Sequence, residues 1–390
     1  MSQLPWNSQL QQALADRKSA GLYRRSRLRD GQQGVEVVVD GRKMLSFSSN
    51  DYLGLAAHPA LKKALVAALE REGVGSGAAH LLTGHSRYHQ QLEEALAEFT
   101  GQQRVLLFST GYMANIGVLD GLLGKADTVV QDKLNHASLL DGGRLSAAQQ
   151  LRYPHANMQL LQQRLQAAAA SPRKLIVSDG VFSMDGDIAP LVDIMQLAEQ
   201  HNAAVFIDDA HGIGVLGEKG RGTVEHFGLS QRLPVVIGTF GKAFGTAGAF
   251  VAADEEVIET LIQQARSFIY TTAQPPAIAA ATLASLTLIE NESWRRDKLQ
   301  QLIQQFRSGA QQLGLPVMAS QTAIQPLLIG DDKKALQLGQ ALEQHGILTG
   351  VIRPPTVPRN TARLRLTFSA SHTPEQVVQL LQALEVCYVY

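Results

Sequence analysis

Cysteine is nearly missing: Cys387 is the only one in 390 residues. That excludes an intramolecular disulfide and any cysteine-built metal cage, and it fits a reducing compartment, the cytoplasm. An excess of charge of one sign is missing too, since 35 Lys and Arg balance 35 Asp and Glu. Neither nucleic acid nor an anionic membrane is therefore expected as the main partner, and the short cluster Arg24-Arg25-Ser26-Arg27 does not change this. Long apolar runs are absent as well. The most apolar stretch, Ala277 to Ile289, is broken by Thr and Ser and falls short of the roughly 20 residues a membrane span needs, so it reads as a buried helix. The N-terminus, MSQLPWNSQLQQALADRKSAGL, lacks the apolar segment that secretion uses, and no signal peptide is expected. No internal repeat or low-complexity segment is present.

What remains is a chain with 45% hydrophobic residues, 18% charged residues and 34 glycines, a globular, enzyme-like balance. Its length suggests two domains, or one large domain with an appendage. Residues 1–50 read as an N-terminal arm, helical at 8–20 (Leu10, Ala13, Leu14) and β-like at VEVVVD (35–40) and MLSFS (44–48). Residues 51–285 alternate helical stretches with short apolar strands: VLLFS (105–109), TVVQD (128–132), LIVSD (175–179), AVFID (204–208), VVIGT (235–239) and GAFVA (248–252). This alternation predicts an α/β large domain with a mostly parallel sheet covered on both faces. Residues 286–390 read as a smaller α/β domain with AIQPLLIG and ARLRLTFSA as strands and a last helix from Thr373. In such sheets a ligand sits beyond the carboxyl ends of the strands.

Several motifs fail on their context. GIGVLG (212–217) matches G-x-G-x-x-G, but Gly220 and Gly222 follow at once and oppose the helix a dinucleotide site needs, so these glycines are expected in a loop close to a ligand or the sheet. Lys242 does not complete a P-loop, because Val236 and Ala243 stand where glycine and Ser or Thr belong. His80, His85 and His89 lack an acidic partner in a facial or HExxH arrangement, so they read as solvated or loop histidines and no metal is expected. GHSRY (84–88) lacks the second glycine of a hydrolase elbow.

Three features survive together. Ser109-Thr110-Gly111-Tyr112 lies between a strand and a helix start, where free N–H groups favour an anion. Asp208 ends the strand AVFID, with His211 three residues on. Lys242 follows the strand VVIGT within the small-residue segment TFGKAFGTAGA. At successive strand ends they would face one crevice with a phosphate site, a carboxylate and an amine, the set that pyridoxal 5′-phosphate requires. A free lysine has a pKa of about 10.4 and is a poor nucleophile until burial or imine formation removes its charge.

The chain also resembles the α-oxoamine synthases, a family of fold-type I pyridoxal-phosphate enzymes, over nearly its whole length. The resemblance rests on NDYLGL (50–55), GSGAAHLLTGHSRYHQQLEEALA (75–97), FSTGYMAN (108–115), NHASLLDG (135–142), DGVFSMDGD (179–187), DDAHGIGVLGEKGRG (208–222), TFGKAFG (239–245) and FIYTTAQPP (268–276). It implies that Lys242 forms the Schiff base and later moves the α-proton, Asp208 pairs with the pyridinium and His136 stacks on the ring. It also implies that Ser183, His211 and Thr239 hydrogen-bond the phenolic oxygen or phosphate, and that Gly111 and Tyr112 hold the phosphate side. Thr271 and Thr272 would reach the phosphate of a neighbouring subunit, which implies a homodimer. Arg353 would hold the amino-acid carboxylate, Arg24 and Thr356 would contact substrate, and Asn50 would lie near the acyl-thioester site. Two departures, Asp179 where many relatives carry glutamate and Arg359-Asn360 in place of a glycine-containing turn, are not expected to touch the cofactor set.

IRPPTVP (352–358) with TARLRLT (361–367) is most similar to the branch that condenses L-alanine with a pimeloyl thioester, on coenzyme A or acyl carrier protein, in biotin biosynthesis. A condensation using glycine or serine, of the 2-amino-3-ketobutyrate ligase or 5-aminolevulinate synthase type, is the nearest alternative. An aminotransferase would share the Asp and Lys but ignore acyl-CoA. A binding or scaffold protein would have no reason to place an amine, a carboxylate and an anion loop at successive strand ends.

Overall fold

The structure is a computed structural model, which describes residues 4–229 and 234–388. The chain enters through a helix, Asn7–Ser19, and its strands are β1 (Arg29–Asp30), β2 (Glu36–Val39), β3 (Arg42–Phe47), β4 (Arg104–Phe108), β5 (Thr128–Asp132), β6 (Gln149–Tyr153), β7 (Lys174–Asp179), β8 (Ala204–Asp208), β9 (Val235–Thr239), β10 (Ala249–Ala253), β11 (Ile324–Gly330), β12 (Ile347–Ile352) and β13 (Ala362–Thr367). Among the described residues they form two sheets, a seven-stranded one in the order β4-β10-β9-β8-β7-β5-β6 and a six-stranded one in the order β1-β2-β3-β12-β13-β11.

The larger sheet is parallel from β9 through β8, β7 and β5 to β6, while β10 runs antiparallel to both β4 and β9. Apart from the edge strand β6, its strands are largely apolar because both faces are covered. Alternate residues point to opposite faces: Val129, Val177 and Ile237 pack with Val118, Leu119, Ile258 and Leu261 of the helices Gly111–Leu122 and Glu255–Gln264. Val130, Ile176 and Val205 pack with Leu161, Leu165, Leu191 and Ile194 of the helices Met158–Ala167 and Leu191–Gln200 on the other face. β6, with the sequence QQLRY, carries no apolar alternation and lies largely exposed at the sheet edge, which is why pattern alone does not reveal it.

The N-terminal arm is not a separate appendage. β3 pairs in parallel with β12, placing Leu45 beside Ile347 and Phe47 beside Thr349, so the smaller sheet draws on both ends of the chain. The helices Trp294–Gln312 and Pro374–Cys387 cover it, with Leu302, Phe306, Val377 and Leu380 joining Phe47, Leu364, Leu366 and Phe368 in one core. Thr373 and Gln376 close a reciprocal capping box at the start of the last helix.

Two local devices tie this scaffold to the strand ends. Gly245 closes the turn after Lys242 with φ +66°, and a Cβ there would lie 2.4 Å from Ala56 N and 2.6 Å from Leu55 C. At the far side, His155 spans two loops: Nδ1 lies 3.2 Å from Asp132 Oδ2 and Nε2 lies 2.8 Å from Asp187 Oδ2. Partial burial lowers the His155 pKa, but the hydrogen bonds and charges of Asp132 and Asp187 outweigh it and raise it to about 10.

Gly245→Ala meets backbone on both sides in a left-handed conformation, so its urea midpoint should fall by the equivalent of about 2–5 kcal/mol, the sum of conformational strain and crowding. For His155→Gln the sign follows from the raised pKa: the imidazolium stabilises the native state fully below about pH 6.5, the unfolded value, and this is lost as pH rises through about 10. Urea titrations at pH 6 and pH 10 should show a wild-type advantage that is large at the lower pH and shrinks at the higher.

Candidate active site

β5, β7, β8 and β9 run parallel, so their carboxyl ends meet at one edge of the sheet. β4 ends at the same edge because β10 reverses direction twice between it and β9. A cavity of about 380 Å³ opens there, lined by Asn50, Ser109, Thr110, Gly111, Tyr112, Asn115, His136, Ser138, Asp179, Asp208, His211, Thr239 and Lys242 among others. The structure thus brings Asn50, Gly111, Tyr112, His136, Asp208, His211, Thr239 and Lys242 together from eight separate sequence positions.

Each wall has a local cause. The helix Gly111–Leu122 begins at the cavity with Thr110 as its cap, Oγ1 accepting from Met113 N at 3.2 Å, which leaves its first N–H groups facing the space. Gly111 must be glycine, since a Cβ would come within 2.6 Å of Thr239 Cγ2. Lys242 is held by its neighbours: Phe240 is fully buried, edge-on to Phe244 at 5.4 Å and stacked on Phe250 at 5.5 Å. His136 caps the next helix, Ala137–Leu145, and places its Nδ1 2.7 Å from Ser138 Oγ.

A hydrogen-bond chain runs along the cavity floor. Asn115 Nδ2 donates to Ser138 Oγ at 2.8 Å and to Asp208 Oδ2 at 2.6 Å, while Ala210 N donates to Asp208 Oδ1 at 3.1 Å. Asp179 and Asp208 are register partners on adjacent strands, and Asp179 Oδ2 accepts from His136 N at 2.7 Å. Burial first, then the charge of Asp208, lifts the Asp179 carboxyl well above the carboxylate range. Burial likewise lowers the Lys242 amine, partly opposed by the charges of Asp208 and Asp179. His211 is pushed well below the usual imidazole value by burial and by the charges of Lys242 and Arg365, so its ring is neutral, with Nδ1 2.7 Å from Tyr52 Oη. The His136 pKa is lowered by burial, against the attraction of Asp208.

Other expected site residues lie outside this lining. Ser183 presents its carbonyl to Arg365 Nε, and Arg365 reaches Asn50 Oδ1 from both terminal nitrogens at 3.2 Å. Arg24 meets Thr356 Oγ1 at 3.4 Å and Arg353 donates to Gly21 O, so the arm and the IRPPTVP loop touch one another rather than the cavity. Thr272 is exposed and Thr271 half-buried, with Thr272 O accepting from Ser109 Oγ at 3.5 Å.

Three corrections follow. Asp179, expected away from the cofactor set, lines the cavity, because β7 and β8 end level with each other. His80 and His89, read as solvated, are buried, and Glu93, one helical turn beyond His89, brings a carboxylate within 3.9 Å of His85 Nε2. Asn115, Ser138 and Arg365 were not foreseen. Asn115 stands one turn into the helix that starts at Gly111, a spacing that returns a side chain to the same face; Ser138 and Arg365 had no such signal. No dinucleotide site forms at GIGVLG: residues 210–220 are turns, and a Cβ on Gly212 would lie 2.1 Å from Asp209 Oδ1.

The site fits pyridoxal 5′-phosphate on its own chemistry. Asn115 Oδ1 and Thr239 Oγ1 are buried without a hydrogen-bond partner, a carboxylate and an amine face each other's strand ends, and a glycine-started helix offers N–H groups for a phosphate. Comparison with known proteins agrees. The model of the family described as aminotransferase class I and II matches residues 42–384. A curated relative from Nitrosococcus oceani, 8-amino-7-oxononanoate synthase, is 58% identical over 95% of this chain and 98% of its own. A solved structure of SPT with a PLP internal aldimine is similar at TM-score 0.93 with 30% identity, covering 99% of this chain and 98% of that one. The 8-amino-7-oxononanoate synthase of Francisella tularensis is similar at TM-score 0.77 with 32% identity, covering 88% and 97%. The chain belongs to the class I and II aminotransferase family, within its 8-amino-7-oxononanoate synthase branch.

Proposed function

We propose that the chain is a pyridoxal-phosphate-dependent acyltransferase that condenses L-alanine with a pimeloyl thioester to 8-amino-7-oxononanoate, releasing carbon dioxide and the free thiol carrier, in biotin biosynthesis. The observation that carries this reading is the convergence of Lys242, Asp208 and His136 on one cavity in a chain whose relatives bear that activity in their names. A glycine-using condensation is not favoured by those relatives.

When bound, the cofactor supplies an electron sink for the carbanion at the substrate α-carbon. Lys242 holds the cofactor and, as a free amine of lowered basicity, takes the α-proton and later returns one. Asp208, gripped by Asn115 and the Ala210 N–H, keeps a proton on the cofactor ring nitrogen. His136, its backbone N–H anchored to Asp179, would pack against the cofactor ring. His211 and Thr239, whose Oγ1 is unpartnered, would hydrogen-bond the cofactor, and Gly111 and Tyr112 would hold its phosphate, while Ser183 lies outside the lining with its carbonyl taken by Arg365. Asn50, braced by Arg365, would face the acyl thioester, and for Arg353 to take the alanine carboxylate with Arg24 and Thr356 contacting substrate, the Arg353–Gly21 and Arg24–Thr356 contacts would have to open toward the cavity.

We read the working form as a cytoplasmic homodimer. No described helix is long and apolar enough to cross a membrane. Thr271 and Thr272 do not line their own chain's cavity, the adjacent Tyr270 is 71% exposed, and Val74 and Leu82, either side of the loop that bonds residues 273 and 274, are 81% and 78% exposed. Such a surface suits a second copy that receives those threonines at its phosphate site.

Purified enzyme with pyridoxal phosphate should release thiol from pimeloyl-CoA when given L-alanine, and Lys242→Ala should lower this by at least about 10²–10⁴-fold. Thiol release with glycine but not alanine would overturn the substrate assignment. Co-expressing Lys242→Ala with Thr271→Ala/Thr272→Ala subunits should restore activity that neither homodimer has, because each hybrid keeps one site with both parts intact. Failure to complement, with hybrids shown to form, would overturn the shared site.

A further inference from the structure

His80, His85 and His89 have no part in the proposed reaction, yet the fold gathers them. A single irregular turn, His80–Gly84, followed by the first turn of the helix Arg87–Thr100, brings the three ring centroids to 5.0–5.5 Å from one another. One ligand nitrogen from each lies within 4.8 Å of the others, and His80 Nδ1 is 2.9 Å from His85 Nδ1. Glu93 stands one turn beyond His89; its Oε1 accepts from Leu107 N at 3.1 Å, which leaves Oε2 directed at His85 Nε2 at 3.9 Å. Three imidazoles are a donor set for a borderline cation, not for magnesium or calcium, and Glu93 is an outer partner at the far nitrogen of His85.

We propose that His80, His85 and His89 form a binding site for one divalent transition-metal ion of the zinc type, with water in the fourth position and the Glu93 carboxyl facing the outer nitrogen of His85. Zinc–nitrogen bonds of about 2.0–2.1 Å place tetrahedral ligand nitrogens roughly 3.3 Å apart, so the His80–His85 pair at 2.9 Å opens slightly while wider pairs close, within the reach of side-chain rotation. The outer partners such a site needs are present. His89 Nε2 donates to Gln274 O at 2.9 Å, the bond that fixes a metal-bound imidazole, and leaves Nδ1 for the ion in exchange for its contact with Ser86 N. The opposite wall is apolar, with His80 stacked on Phe268 at 5.2 Å.

The position gives the ion something to hold. Gln274 O also accepts from Ser76 Oγ at 2.6 Å, and Ala273 N donates to Ala78 O at 3.0 Å. The histidines therefore brace the segment 268–274, which carries Thr271 and Thr272, against the loop 76–86. An ion across the cluster joins both ends of that loop and stiffens the segment.

The test uses the pyridoxal-phosphate holoenzyme, freed of metal with EDTA, gel-filtered and dialysed against Zn²⁺ or Co²⁺. The wild type should take up one ion per chain, give the visible absorption of four-coordinate cobalt, and melt at a higher temperature with Zn²⁺. His85→Ala, at the half-buried and most replaceable position, should bind at least tenfold more weakly and lose both signals; His80→Gln serves as the second variant, with circular dichroism showing that each is folded. An uptake below one ion per chain, or binding by folded His85→Ala and His80→Gln equal to the wild type, would overturn the site and leave a hydrogen-bonded histidine cluster.

Discussion

The structure turns on an amine and two carboxylates at the ends of neighbouring strands. Lys242 follows β9, Asp208 ends β8 and Asp179 ends β7, all at a largely desolvated edge of the sheet. Three buried charges there would be costly. Burial and the charge of Asp208 raise the Asp179 carboxyl, and burial lowers the Lys242 amine. One carboxylate paired with one readily discharged amine is an electrostatic starting point for cofactor binding.

Much of the surrounding structure keeps these groups apart and in place. Asn115 holds Asp208 from the helix and passes the link to Ser138 and His136. The stacked phenylalanines and Gly245 fix the turn that carries Lys242, and Gly245 does so by admitting the Leu55-Ala56 backbone. Arg365, from the smaller sheet, reaches both Asn50 and the loop at Ser183, so the Asn50 wall of the cavity depends on a strand from the far end of the chain. The rest of the lining comes from the edge of the larger sheet.

How much of this was legible in sequence depended on whether the signal was local. Strands such as LIVSD, AVFID and VVIGT announce themselves because buried parallel strands are continuously apolar, and the strand-end rule then places Asp208 and Lys242. The same rule applied evenly would have placed Asp179, which ends its strand in register with Asp208. The edge strand QQLRY and the pairing of β3 with β12 carry no local signal, since one lacks apolar residues to bury and the other joins positions some three hundred residues apart. The grouping of the histidines carries no sequence signal for a related reason: the rings meet only once the irregular turn His80–Gly84 and the helix after it bring them together.

The central claim is that the Asp208 carboxylate, not burial alone, makes the site an electron sink for the α-carbon. The most direct measurement is exchange of the alanine α-hydrogen with D₂O, followed by NMR on holoenzyme without acyl thioester. The account predicts exchange in the wild type, a loss of at least about 10²-fold in Asp208→Asn, and a smaller change in Asp179→Asn, whose carboxyl is pushed toward its neutral form by burial and the charge of Asp208. Equal exchange in wild type and Asp208→Asn, with cofactor bound in both, would contradict it.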